Sequence, residues 1–165
     1  MNAEDIIRLL HMEPHPEGGY FAEGYRSSEF LAREALPARY PGPRRTGTAI
    51  YYLLTAATFS EIHRVASDEI FHFYLGDPVE MLQLRPDGST HRVAIGADLA
   101  QNMRPQVVVP HGVWQGSRLV PGGRFALLGC TVGPGFEYAD YERGSRELLL
   151  AQYPEARELI LALTR

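Results

Sequence analysis

A single cysteine leaves this chain of 165 residues without an intramolecular disulfide, so its stability has to come from packing. That cysteine, Cys130, falls in the apolar stretch from Phe125 to Val132. Nothing basic stands beside it in sequence to hold a thiolate, and a buried structural thiol is expected. A cationic face is missing as well. The formal net charge is −4, and the one dense basic run, Arg39 to Arg45, is broken by prolines and a glycine and reads as a solvated loop. Phosphate backbones need a positive field, so nucleic acid is not an expected partner. Nor does any apolar run approach the ~20 residues of a membrane span. The first residues, Met1-Asn2-Ala3-Glu4-Asp5, lack the basic segment and apolar core of a secretory signal. A cytoplasmic location without a membrane partner is expected. Repeats and low-complexity segments are absent too.

What is present reads as one domain over residues 1–165, long enough to bury roughly two-thirds of its extended surface. Hydrophobic residues make up 45% and charged residues 22%, as in ordinary globular chains. Asn2 followed by Asp5 has the form of an N-cap with an acidic N3 residue, and Ile6, Leu9 and Leu10 continue as a short helical stripe ending before Pro14. His11 and His15 flank that end and read as exposed polar residues, since no third ligand lies at metal-binding spacing. Gly18-Gly19 then opens an extended run over 20–26. No Lys-Ser/Thr follows it, which excludes a phosphate loop. Positions 28–45, with Pro37, Pro41 and Pro43, form a long loop of a kind that is often functional or packed on a neighbouring subunit.

From Thr46 onward the pattern is strands and turns. Runs at 48–54, 58–64, 69–75, 79–84, 90–95, 107–109, 113–119 and 124–132 are rich in β-branched and aromatic residues, punctuated by Gly76-Asp77-Pro78, Pro86-Asp87-Gly88 and Pro121-Gly122-Gly123. Gly133-Pro134-Gly135-Phe136 reads as a turn that re-aims the chain. Eight or more short strands at near-regular intervals predict an all-β barrel or sandwich, with the barrel over about 18–140. A C-terminal helical segment over about 142–164 follows. Ser145 can cap its first helix, and Pro154 suits the first turn of its second. Leu148, Leu149, Ile160 and Leu161 give these helices apolar faces that must pack on the outside of the barrel.

Two segments carry chemistry. In the first, His63-Arg64-Val65-Ala66-Ser67-Asp68-Glu69 is followed by Gly76; in the second, Pro110-His111-Gly112-Val113-Trp114-Gln115 enters another strand. Together they resemble the two sequence boxes of the cupin superfamily, with His63 at the first histidine position, Glu69 at the glutamate and Gly76 at the glycine. Val65 stands in place of the second histidine, and Gln115 in place of the histidine of the second box. More narrowly, His15-Pro16-Glu17-Gly18-Gly19-Tyr20, Tyr25-Arg26-Ser27, Phe59-Ser60, Ser67-Asp68-Glu69, Gly129-Cys130-Thr131-Val132 and Pro134-Gly135-Phe136 resemble the uncharacterised cupin_5 (DUF985) family, from about residue 5 to about 145. The resemblance implies a double-stranded β-helix, or jelly-roll barrel, with a short N-terminal helix and C-terminal helices, frequently a homodimer. It brings no settled activity.

Strand alternation tests the constellation independently. Phe59, Glu61 and His63 share one face of their strand. Glu69, Phe71 and Phe73 share a face opposite Ile70, His72 and Tyr74, and Gln115 and Ser117 lie opposite Trp114. With His63, Glu69 and Gln115 inside the barrel, His72 belongs on the outer layer or at a subunit contact. A divalent metal wants about three good ligands, and His63 and Glu69 supply only two. No cofactor is therefore expected, and a divalent metal at this pair is at most weakly held. A lined apolar pocket for a small molecule remains. Metal-free cupins related to sugar-nucleotide epimerases use a histidine base and a tyrosine acid, which implies a metal-independent isomerase or epimerase of a polar or sugar-derived metabolite. His63 is then the base, since imidazole titrates near neutrality, and Glu69 orients it. Tyr20, Tyr51 and Tyr74 are candidates for the acid. Arg26 can anchor an anionic group through its forked guanidinium, while Tyr51 and Gln115 contact the ligand. Two alternatives stay open: a non-catalytic binding cupin, and a metal-dependent oxygenase or isomerase using His63 and Glu69.

Overall fold

Alternation along a strand sorts side chains onto opposite faces, and in this protein both faces are buried over much of the barrel. The computed structural model describes all 165 residues. In chain order its elements are α1 (Ala3–Leu9), β1 (Glu13–Pro14), β2 (Tyr20–Arg26), β3 (Phe30–Leu31), β4 (Arg44–Arg45), β5 (Thr48–Thr55), β6 (Phe59–Arg64), β7 (Asp68–Gly76), β8 (Val79–Leu84), β9 (Thr90–Ile95), β10 (Gln106–Val109), β11 (Trp114–Leu119), β12 (Phe125–Gly133), β13 (Glu142–Arg143), α2 (Arg146–Gln152) and α3 (Arg157–Ala162). A six-stranded sheet runs β1-β2-β5-β12-β7-β10 and a five-stranded sheet runs β13-β6-β11-β8-β9. Their strand pairings are antiparallel. The expected all-β architecture with terminal helices is the one observed.

The inner faces of the two sheets enclose one apolar cluster, including Tyr52, Leu54, Phe71, Met81, Leu128 and Val132. The outer face of the five-stranded sheet is covered by α2 and α3, where Ile62, Leu82 and Leu84 meet Leu149, Leu159, Ile160 and Leu163. The outer face of the six-stranded sheet receives α1 and the turn after it, through Ile6 and Met12 against Leu53, Phe125 and Leu127. Strand β5 shows the rule in three consecutive residues: Tyr52 and Leu54 enter the inner cluster and Leu53 the outer one.

The capping box anticipated at the N-terminus is formed. Asn2 Oδ1 accepts from the Asp5 N–H at 2.9 Å and the Asn2 N–H donates to Asp5 Oδ2 at 3.2 Å. Replacing Asn2 with Ala is expected to cost about 1 kcal/mol, read as a lower urea midpoint with an unchanged m-value. Ser145 does stand at the N-cap of α2, but its side chain makes no capping hydrogen bond. No helix is long and apolar enough to cross a membrane.

One expectation about β6 is corrected. Gln115 pairs with His63 and Ser117 with Ser60, so Glu61 and Ile62 of β6 together oppose the single residue Gly116 of β11. This β-bulge turns Phe59 and Ile62 outward, toward the α2–α3 cluster, so Phe59 and His63 do not share a face. Gly116 is needed there, because a Cβ would lie 2.8 Å from Ile62 Cγ1. A second bulge in β7 falls between its pairings of Phe73 and Leu75 with β12. His72 sits before it on the outer face, as anticipated. It stacks with Tyr74 at 6.5 Å and its Nε2 lies 3.3 Å from Thr131 Oγ1.

The 28–45 stretch is not irregular throughout. It holds the β3–β4 hairpin and a 3-10 turn at Arg33–Ala35. Tyr40 is fully buried and its hydroxyl meets Ser67 Oγ at 2.9 Å. Arg44 ion-pairs with Asp140 where both side chains are almost completely buried.

Candidate functional site

Two glycines thread the chain into the barrel mouth. Gly18 has φ +110° and Gly19 φ +73°, a region that side chains with a Cβ rarely adopt. A Cβ on Gly18 would lie 2.1 Å from the Phe59 carbonyl oxygen, and one on Gly19 2.6 Å from that of Leu53. The Tyr52 hydroxyl donates to the Gly18 carbonyl at 2.7 Å. So pinned, the preceding residues His15 and Glu17 line the cavity of the barrel.

The centre of the site is an imidazole held on both sides. His63 Nδ1 lies 2.7 Å from the Glu61 carbonyl oxygen, which makes Nδ1 the donor and leaves Nε2 with its lone pair. Gln115 Nε2 donates to that nitrogen at 2.8 Å and to Glu69 Oε2 at 3.1 Å. Glu17 Oε2 approaches His63 Nε2 to 3.4 Å, and the Tyr141 ring stacks on the imidazole with centroids 5.3 Å apart. The Cys130 thiol faces Glu69 Oε1 at 3.8 Å. It is buried, as its apolar strand implies. Gln115 Oε1 and Ser117 Oγ have no hydrogen-bond partner.

Burial dominates the electrostatics. It pushes the Glu17 carboxyl up to about 8, against the lowering effect of the Ser60 hydroxyl and with Glu61 adding to the rise. Burial also raises the Glu69 carboxyl, although His63 and Gln115 favour its charged form. His15 is held down to about 4 by burial and, second, by His63, so it is a neutral ring near pH 7. Its Nδ1 accepts the Glu17 N–H at 3.2 Å. Glu17 at neutral pH is thus mostly a neutral acid, 3.4 Å from an imidazole nitrogen whose lone pair accepts the Gln115 N–H.

Above these groups lies a cavity of about 140 Å³ with walls of Phe21, Ile50, Phe71, Val132 and Phe136. Glu69, Gln115 and Arg26, named from sequence, line it. His63 does not; it lies just behind, against Gln115 and Glu17. Arg26 is already occupied. Glu23 takes its Nε at 3.0 Å and Nη2 at 2.7 Å, and Glu137 takes Nη1 at 3.2 Å.

Tyr51 is a correction. It projects from the outer face of β5, 38% exposed, edge-on to Tyr74 at 6.1 Å. The alternation that carries Tyr52 inward carries Tyr51 outward. Tyr74 shares that outer face, and Tyr20 packs with the α1 cluster, so none of the three proposed acids reaches the cavity. The phenol among its lining residues on β5 is Tyr52. His15, read from sequence as an exposed polar residue, instead has its side chain buried in the cavity wall, and Glu17 was given no role. Their signal was the Gly18-Gly19 pair beside them, two adjacent residues free to take positive φ and bring a neighbour into close backbone contact.

The donor set does not fit a divalent ion. No group of three or more His, Cys, Asp or Glu side chains is arranged to hold one. Val65 stands where a second imidazole would be, and the Gln115 amide spans His63 and Glu69 with both of its N–H groups committed.

The sequence model of the family described as Cupin superfamily (DUF985) matches residues 4–143. The chain belongs to that family. This cupin is 32% identical over 163 residues to an uncharacterised protein of Saccharomyces cerevisiae, YML079W, covering 92% of this chain and 81% of the yeast protein. Among solved structures it superposes on protein SO0799 of Shewanella oneidensis with a TM-score of 0.87 at 37% identity, covering 100% of this chain and 98% of the other. Oxalate decarboxylase of Bacillus subtilis shares the fold alone, with a TM-score of 0.53 and 14% identity over 91% of this chain and 36% of that one. A cupin barrel with a lined interior cavity is a small-molecule-binding architecture.

Proposed function

We propose that this cupin binds a small polar-headed metabolite in its cavity and moves a proton on it without a metal, as an isomerase or epimerase does. The observation that supports it is the Glu17–His63 contact, 3.4 Å between Oε2 and Nε2. At rest the pair carries one proton on Glu17. Transfer to His63 Nε2, with the Gln115 amide turned so that its Oε1 accepts the new N–H, leaves a carboxylate facing the ligand and an imidazolium whose Nδ1–H stays on the Glu61 carbonyl. The carboxylate then takes a proton from carbon beside a carbonyl and, now the carboxylic acid, returns it to that carbon or its neighbour, after which the imidazolium hands its proton back to Glu17. His63 thus serves as base through Glu17 rather than by direct contact, and Tyr52 replaces the outward tyrosines as the phenol near the reacting centre. Glu69 and Gln115 hold the imidazole in place.

Solvent-deuterium wash-in to bound substrate tests this reading. His63→Asn is expected to suppress exchange by about 10²–10⁴-fold, the general acid–base contribution, while binding changes little. Undiminished exchange in the variant removes His63 from the reaction. A purely binding cupin is the second reading, favoured by the exclusion of His63 from the cavity lining. It gains if ligands bind and none exchanges between pH 5 and 9. A homodimer is also proposed, on the outer-face aromatics Tyr51 and Tyr74, 38% and 50% exposed, and sedimentation as a monomer would oppose it.

A further inference from the structure

Resting on the reading that the cavity binds a small molecule, we propose that its preferred ligand is an organic cation, an amidinium or protonated amine on an apolar body, rather than the anion that Arg26 suggests from sequence.

Charge is the first support. Glu17, Glu23 and Glu69 line the cavity, and Arg26 is the one arginine among the lining residues. Its guanidinium is shared between Glu23 and Glu137, so an anion would meet a cation already paired with two carboxylates, and two buried carboxyls. Desolvating an anion there finds no compensation. A cation finds two.

Hydrogen-bond capacity points the same way and is independent of charge. Gln115 is 1% exposed and lines the cavity. Both of its N–H groups are spent on His63 and Glu69, and its Oε1 receives no donor. Glu17 Oε2 receives only the distant Ser60 hydroxyl, at 3.5 Å. Acceptors therefore exceed donors around the cavity, and buried acceptors are seldom left unpaired. Amidinium and ammonium groups bring donors only.

The walls suit the rest of the ligand. Phe21, Phe71, Phe136 and Tyr138 present aromatic surface, which attracts organic cations. At about 140 Å³, the cavity is near the ~150 Å³ of an engineered cavity that takes up benzene.

Ionisation of Glu17 then sets the pH response. The carboxyls and imidazoles facing it are His15 from its own segment, Glu61 and His63 from β6, and Glu69 from β7. The phenols and thiol facing it are Tyr52 from β5, Cys130 from β12, and Tyr138 and Tyr141 from the segment after β12. Of all these, the group poised to lose a proton on meeting a cation is Glu17, whose acid form persists to about 8. About a tenth of the protein is in the carboxylate form at pH 7 and about nine-tenths at pH 9, so cation affinity rises about tenfold between them.

Titration calorimetry of the full chain with benzamidine, benzamide and benzoate at pH 7 and pH 9 tests the proposal. Benzamidine should bind more tightly than either isostere, about tenfold better at pH 9, with nearly one proton released per ligand at pH 7. Glu17→Gln should flatten that pH dependence, and Glu69→Gln should weaken binding while keeping it. Benzoate or benzamide binding more tightly than benzamidine overturns the proposal, as does a pH-independent affinity or no benzamidine binding at either pH. Tighter benzoate binding would leave the proton-transfer reading standing. Tight benzamidine binding in a protein that exchanges no substrate proton would do the reverse.

Discussion

Glu17→Gln is expected to slow proton exchange on a bound substrate by about 10²–10⁴-fold, the range attributed to one general acid–base group. The amide keeps the shape of the carboxyl and its contact with Ser60 but carries no transferable proton to His63. The same variant has a thermodynamic signature. Burial holds the folded-state carboxyl at about 8, above the ordinary value of 4.5. Between those values the folded protein binds the extra proton, so this group makes stability fall as pH rises from about 4.5 to about 8, and level off beyond. Urea unfolding of the Gln variant should lack that alkaline decline. If both exchange and the decline are unchanged, Glu17 has neither the protonation state nor the role assigned to it.

Arg44→Ala is expected to destabilise the protein by about 3–5 kcal/mol, because it strands a buried carboxylate. Arg44 Nε donates to Asp140 Oδ2 at 2.6 Å and its Nη1 to the Pro43 carbonyl at 2.7 Å. The two side chains are only 4% and 2% exposed, so in the folded protein the carboxylate depends on Arg44 rather than on solvent. Changing both residues to apolar side chains of similar volume should recover much of the loss, since the desolvation cost of the pair disappears with it. The consequence reaches the cavity. Asp140 lies between Tyr138, at the cavity, and Tyr141, stacked on His63, so ligand affinity should fall together with stability. A variant that unfolds as the parent does would show that the pair contributes nothing net.

The legibility of this molecule in its sequence was uneven, for identifiable reasons. Strand runs and turn residues are local, and the all-β strand set, the capping box of Asn2 and the shared face of Glu69 and Phe71 followed from period and punctuation. The outward course of His72 followed the same way. Phe59 was misplaced because one extra residue in β6 reverses the alternation, and a bulge is set by its partner strand through Gly116. Tyr51 was misassigned among tyrosines on strands although Tyr52, its neighbour, held the inward phase. Arg26 looked like a free anion anchor because a sequence shows a charge but not its neighbours. Glu137 is 111 positions away.

Composition and alternation by themselves determined an all-β shell, because that property depends on residues two positions apart, while the imidazole and carboxylate within it were indicated by the resemblance to the cupin boxes. The tertiary structure alone decided that Glu17 turns inward, that Arg26 is paired with Glu23 and Glu137, and that His63 stands one layer behind the lining. Each of these rests on contacts between segments distant in the chain. Burial, which sets the protonation of Glu17 and His15, exists only once those segments have closed around them.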